Sequence, residues 1–277
     1  MDNLHVARAE AFRNLHKRTG IFVIPNPWDA GSAKMLAALG FEALATTSAG
    51  LAFSLGRPDG EGGISRAETF SNVHSIVAAT VLPVAADLEN GFGDDPAVCA
   101  ETIRMAAAAG LAGGSIEDNT GRPQDPIYPF ELAVARIKAA VQAARSLAIP
   151  FTLTARAENL ICGRADLGDT IRRLQAYAEA GADVVFAPGL ETREAIASVV
   201  NAVAPTPVNV VMGLGKGSFS LNELEDLGVK RVSLGSSLAR AAYGAFFAAA
   251  KEIGEKGSFT FAREAIPYSA INSLFKV

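Results

Sequence analysis

Three acids in this sequence, Asp87, Glu89 and Glu117, have the type and spacing to do chemistry together. Asp87 and Glu89 close the apolar run LPVAADLE, and residues two apart on an extended backbone point the same way. Glu117, followed by Asp118, closes a second run, and Arg156 and Glu158 close a third, PFTLTARAE. Adjacent parallel strands lie about 4.8 Å apart, so carboxyls at neighbouring strand ends converge and repel. Either they take up protons or a cation sits among them, and an oxygen-only donor set suits magnesium or manganese. The competing reading is that one of these acids caps the next helix or pairs with Arg156.

Other chemistries lack their donors. The histidines, His5, His16 and His74, fall in predicted helices away from strand ends, where surface or packing roles are expected. That removes a His-ligated zinc site, a Ser-His-Asp triad and a His general base. Schiff-base chemistry needs a Lys at an inward-facing strand end, but Lys216 lies in a glycine-rich loop and Lys230 begins the last strand-like run.

The elements that must position these residues repeat along the chain. LAALGFEALATTS, MAAAAGLAGGSIED, AYAEAGADVVFAP and LEDLGVKRVSLGSS each show a helical stretch, a Gly stop and a short apolar run closed by polar residues. Gly40, Gly110, Gly181 and Gly228 occupy the stops, where the left-handed conformation ends a helix. IFVIPN, LPVAADLE, PFTLTAR and PVNVVM complete eight strand-like runs, near residues 21, 43, 82, 112, 151, 183, 207 and 230. Helical spacing joins Leu167, Ile171, Leu174 and Ala178, while Asp94 or Asp95 can cap a helix with Pro96 in its first turn. Eight strands alternating with eight helices predict an α/β fold, a (β/α)8 TIM-type barrel; a doubly wound open sheet is the competitor.

Residues 1–277 are read as one domain, with residues 1–20 as an extra N-terminal helix under the barrel floor and 236–277 as a C-terminal helical region. A formal net charge of −4 and the absence of a long Lys/Arg run argue against a nucleic-acid partner. The charged N-terminus and the lack of a spanning apolar stretch predict no membrane partner and a cytoplasmic location. The two cysteines, Cys99 and Cys162, form no CxxC pair and are expected as free thiols.

Two loops stand out at the expected C-terminal mouth, where barrels keep their catalytic residues. TTSAGLAFSLGRPDGEGG after the second run can bring backbone N–H groups close to an anion, and it carries the acid Asp59. DNTGRPQDPIYPF after the fourth, thirteen residues with three prolines, suits a lid. MGLGKGS and LGSS, after the last two runs, look like a barrel phosphate site and define a rival reading as a sugar-phosphate isomerase or aldolase. A non-catalytic barrel is the remaining alternative.

TTSAG, LGRPDG, ADLENGFG, SIEDNTG and TARAE occur in an order and spacing that resemble the isocitrate lyase/phosphoenolpyruvate mutase superfamily, over nearly the whole chain. The resemblance implies that Asp87, Glu89 and Glu117 hold Mg2+ directly or through waters, with Asp59 nearby. It implies that Thr47, Ser48 and Ala49 meet the substrate carboxylate, that Arg156 binds the 2-oxo or 2-hydroxy acid end, and that Asn209 lines the far side. The implied chemistry is a pyruvate-type enolate stabilised by the metal. It further implies a homo-oligomer, typically a tetramer that exchanges the last barrel helix, here residues 236–253.

Departures from the family bear on the substrate. The lid lacks the KKCGH-type sequence of isocitrate and methylisocitrate lyases. Asn119 and Thr120 directly follow the Glu-Asp pair, and Pro188 stands where the phosphonate-forming mutases place a His. Tyr128 and Glu158 are the candidate bases for a hydroxy-acid cleavage. The expected function is a Mg2+-dependent carbon–carbon lyase or decarboxylase acting on a small 2-oxo or 2-hydroxy carboxylic acid, with mutase-type P–C chemistry as the alternative.

Overall fold

A computed structural model describes residues 3–60, 62–213, 217 and 219–276. Eight parallel strands run β1 (Phe22–Ile24), β2 (Leu44–Ala45), β3 (Val84–Asp87), β4 (Gly113–Glu117), β5 (Thr152–Arg156), β6 (Val184–Phe186), β7 (Val208–Val211) and β8 (Arg231–Ser233). Their order is β1-β8-β7-β6-β5-β4-β3-β2, and Ala45 N–H donates to the Pro25 carbonyl at 3.1 Å across the remaining seam. The sheet therefore nearly closes into the expected (β/α)8 barrel. Its strands are buried on both faces, which is why they are built from Val, Ala, Ile and Leu.

The outer ring contains α2 (Ala30–Ala38), α4 (Arg66–Ala78), α5 (Pro96–Ala108), α6 (Phe130–Arg145), α7 (Leu167–Glu179), α8 (Arg193–Val203) and the short α9 (Leu221–Asp226). All four predicted Gly stops take positive φ, as at Gly181 with φ 100°. Asp95 caps α5 by accepting from Ala97 N–H, with Pro96 in the first turn. On α7 the buried stripe is Thr170, Arg173, Leu174 and Tyr177, so the predicted stripe is rotated by about one residue. Two polar residues, Arg173 and Tyr177, enter because a buried acid awaits them.

Eleven α-helices occur among the described residues; beyond the eight of the repeat they are the predicted N-terminal helix α1 (Asn3–Lys17), α11 (Tyr268–Leu274) within the predicted C-terminal helical region, and the unpredicted α3 (Ser48–Ser54). α1 closes the floor, as expected. Its His5 Nε2 lies 2.9 Å from the Leu111 carbonyl, and fully buried Phe12 sits where a Cβ on Gly113 would approach its ring to 2.8 Å. Removing that ring would cost about 3–5 kcal/mol.

α10 (Ser237–Lys256) behaves differently. Only Ala239 is buried along it, and Phe246 and Phe247 are 72% and 69% exposed. Beyond it lie a 3-10 turn, Thr260–Arg263, and α11. No helix among the described residues is long and apolar enough to cross a membrane.

Candidate active site

The C-terminal ends of β3, β4 and β5 put Asp87, Glu117 and Arg156 side by side, because Asp87 is in register with Ser115 and Glu117 with Arg156. Arg156 Nη1 donates to Asp87 Oδ1 at 3.0 Å, Nη2 lies 3.1 Å from Glu117 Oε2, and Nε donates to Glu158 Oε1 at 3.0 Å. Phe186 on β6 places its ring 5.1 Å from the guanidinium carbon. Asp87 Oδ2 accepts from Ser48 Oγ at 2.9 Å, at the start of α3. Thr47 uses its hydroxyl to cap that helix, accepting from Gly50 N–H.

Two further acids surround this group. Glu89 feels Asp87 and Asp59, and burial together with those charges pushes its carboxyl up to about 7. Burial and then Asp87 raise Asp59 as well. Glu117 is raised well above the ordinary carboxylate range, by burial first and, against the opposing pull of Arg156, by Glu158, Asp87 and Glu89. Desolvation penalises Asp59, Glu89 and Glu117 in the charged form, and the Arg156 guanidinium does not offset that penalty. A 730 Å³ chamber opens here, lined by Asp59, Glu89, Glu117, Arg156 and Glu158, with Asn119 to Arg122 along one wall. A narrower 220 Å³ chamber, reached past Ser48 and Ala49, continues down the barrel to Asn209.

The geometry corrects several expectations. Glu89 does not continue the strand: its φ is 47°, so it reaches the acid group by a left-handed turn and not by strand alternation. Arg156 already stands among Asp87, Glu117 and Glu158, so a divalent ion is not the only cation available to them. Among the described residues, no group of three or more His, Cys, Asp or Glu side chains is gathered for a metal. Tyr128 is turned away from the base role, because its buried hydroxyl donates to Asp94 at 2.6 Å and its ring stacks 4.1 Å from Arg136. Glu158, only 1% exposed, is forked onto Arg156, the pairing considered from sequence.

Asp118 alternates to the opposite side of β4, where Arg173, Tyr177 and the Glu158 N–H donate to it at 3.0, 2.7 and 2.8 Å. The loop from Asp118 to Phe130 is a folded hairpin, with Tyr128 N–H bonded to the Asp118 carbonyl and Thr120 N–H to that of Pro126. The proposed phosphate cradle is engaged elsewhere: Leu234 and Gly235 N–H both donate to Asn26 Oδ1, at 2.8 and 3.0 Å. Lys216 and most of its glycine-rich loop lie outside the described residues. Pro188 lines the inner chamber and Cys162, a free thiol, is pushed up to about 12 by burial and nearby carboxylates, which makes it a poor nucleophile.

Sequence reasoning missed Arg231 and the role of His16. Arg231 is a buried cation on β8 that bonds Asn209, Thr154 and His16. The available signal was the charge itself, since an Arg inside a run buried on both faces demands a reason.

An acid-rich barrel mouth organised by one arginine defines a class of α/β-barrel enzyme-like folds, and comparison with known proteins narrows it. The phosphoenolpyruvate phosphomutase family profile matches residues 12–254, and the chain belongs to this family, within the isocitrate lyase/phosphoenolpyruvate mutase superfamily. It is similar to a solved protein from Burkholderia cenocepacia J2315, itself only proposed to be a lyase/mutase, at 59% identity and TM-score 0.97, covering 100% of this chain and 98% of that one. A solved oxaloacetate acetylhydrolase in complex with oxalate shares 25% identity and a TM-score of 0.88, over 98% of this chain and 95% of the other. The 2,3-dimethylmalate lyase of Eubacterium barkeri is 33% identical over 232 residues, covering 79% of this chain and 77% of that protein. The relatives support a lyase-type enzyme.

Proposed function

We propose that the chain is a divalent-metal-dependent carbon–carbon lyase or decarboxylase acting on a small 2-oxo or 2-hydroxy carboxylic acid, with Mg2+ as the metal. The observation that carries this reading is the charge imbalance: Asp59, Asp87, Glu89, Glu117 and Glu158 gather about Arg156 beside an open chamber, and the other arginines that line it among the described residues, Arg66 and Arg122, are paired with acids of their own, Glu101 and Asp94. Carboxylate oxygens are the donors a hard cation prefers, so the residues fit the group chemically. Asp87, Glu89 and Glu117 would hold it, with Asp59 close by, once Asp87 and Glu117 yield part of their bonding to Arg156. A bound divalent cation would stabilise negative charge developing on the substrate oxygen next to the carboxylate.

The remaining work falls to the chain's own groups. Arg156, released in part from its acids, offers N–H donors to a substrate carboxylate, and its stacking on Phe186 fixes its plane. Ser48 and Ala49 line the inner chamber, where their backbone N–H groups would meet the substrate carboxylate once the Ser48 N–H leaves Asp87 Oδ2, and Asn209 lines the same chamber. Glu158 holds Arg156 in place and does not remove protons. Decarboxylation of a 2-oxo dicarboxylate demands least of such a site, because loss of CO2 needs no base.

The test is a panel of oxaloacetate, substituted malates, methylisocitrate and phosphonopyruvate, each followed for pyruvate release, and phosphonopyruvate also for conversion to phosphoenolpyruvate, with and without EDTA. Metal-dependent release from a carboxylic acid is expected; turnover of phosphonopyruvate alone would assign mutase chemistry, and EDTA-insensitive turnover would overturn the metal reading.

We also propose that copies of the chain associate through α10, whose exposed Phe246 and Phe247 a second copy would cover. Light scattering should show a homo-oligomer, a tetramer by family resemblance, and Phe246→Asp with Phe247→Asp should yield monomers. A wild-type monomer would refute this.

A further inference from the structure

The floor of the barrel holds an arginine without an anion. Arg231 enters the lumen from β8 and is 6% exposed. Its Nε donates to Asn209 Oδ1 at 2.8 Å and its Nη2 to Thr154 Oγ1 at 2.9 Å, so the side chain crosses from β8 to β5. Nη1 lies 3.2 Å from His16 Nε2. His16 Nδ1 lies 2.9 Å from the Phe12 carbonyl, which can only accept, so Nδ1 carries the proton and Nε2 accepts from Arg231. All three partners are therefore neutral, and no carboxylate among the described residues raises the charge stability of Arg231.

A guanidinium has five N–H donors, so two remain after these bonds. Arg231 itself lines the 220 Å³ chamber, a space that other barrels fill, together with the small residues Ala45, Ala85, Ser115 and Ser233; Asp59 and Asp87 line it as well, beside Arg156. Barrel interiors are ordinarily packed with branched side chains. Thr154, which Arg231 touches, lies two residues before Arg156 on the same strand, a step of about 6.6 Å. The chamber thus lies between two guanidinium groups, and the upper one is already matched by acids.

We propose that this chamber is a binding well for a small monoanion, a halide-sized ion or the far carboxylate of a dicarboxylic acid, held by Arg231 at its base. A buried cation surrounded only by neutral acceptors is electrostatically incomplete. An anion in the well would complete it with charge-assisted hydrogen bonds. This inference is independent of the lyase reading, since neither metal nor turnover enters its test.

Crystals of the full chain soaked in sodium bromide should show an anomalous peak within hydrogen-bond distance of Arg231. In solution, the melting temperature in sodium bromide, against sodium gluconate at equal ionic strength, should rise and saturate. Arg231→Met should weaken the apparent bromide affinity by roughly tenfold or more, the loss of one charge-assisted interaction. Ala85→Val, which narrows the well and leaves the arginine intact, should lower bromide occupancy and covers the case in which Arg231→Met does not fold. Succinate separates the two sources: it displaces the bromide if the well serves a substrate carboxylate, and leaves it if the well holds a free ion. A lumen free of bromide, with equal melting responses in wild type and Ala85→Val, would overturn the proposal.

Discussion

Two buried arginines on neighbouring elements show how the same side chain can serve structure or chemistry. Behind the barrel wall, Arg173 on α7 bonds Asp118 at 3.0 Å and Asp169 at 2.8 Å, and Tyr177 donates its hydroxyl to the same Asp118. The cation and its acids are close to balanced, and none of Arg173, Asp118, Asp169 and Tyr177 lines either chamber of the mouth. At the mouth, Arg156 meets Asp87, Glu117 and Glu158, with Asp59 and Glu89 beyond, beside the larger chamber. A balanced pair is finished by folding. An outnumbered cation leaves anions that still favour an incoming positive charge, and its own donors can be released to a substrate. Surplus charge beside open space, and not burial of charge as such, separates the two.

Removing each partner should sharpen that contrast. Arg173→Met leaves Asp118 buried and unpaired, so urea unfolding should show a loss of about 3–5 kcal/mol. The folded fraction should keep its turnover. Glu117→Gln should do the reverse, lowering kcat by about 10²–10³-fold, the scale of losing a fixed electrostatic stabiliser. Its melting temperature should hold or rise, because a buried like charge is removed; unchanged turnover would mean the mouth is not the reacting site.

Ligands provide the third contrast. Mg2+ with oxalate should stabilise the wild type by about 2.7 kcal/mol at a hundred times the dissociation constant. Arg173→Met should retain that gain and Glu117→Gln should lose it, as read by calorimetry. Equal gains in both would erase the distinction between the two clusters.

The smallest expected effect concerns the floor. Burial, and then Arg231, lower His16 from 6.5 to about 3, so the fold keeps it neutral. Below pH 6.5 the unfolded chain binds a proton that the folded one refuses. The contribution is therefore fully present above that pH and lost as pH falls toward 3, the loss reaching about 1–2 kcal/mol by pH 5. Denaturant unfolding at pH 7.5 and pH 5.0 should show a smaller acid loss for His16→Gln than for wild type; equal losses would place the charged imidazole comfortably in the fold.

The αβ repeat, its glycine stops and the acids at strand ends were legible because they follow from periodicity and strand alternation. Alternation separates Glu117 from Asp118 at once. Glu89 shows where that reasoning ends, since its left-handed turn breaks the alternation used to place it. Tyr128 and Glu158 looked equally able to act as bases until Asp94 and Arg156 engaged them. Arg231 and His16, 215 residues apart, had no shared local pattern.

By itself, then, the sequence determined the barrel, the floor helix and the strand ends that carry the acids, because helix stops and burial patterns act over a few neighbouring residues. Tertiary structure alone decided which carboxyl pairs with which cation, which are left in surplus, and that an unmatched arginine lies under the mouth. Electrostatic balance depends on distances across the closed sheet, and those are set only when strands distant in the chain come into register.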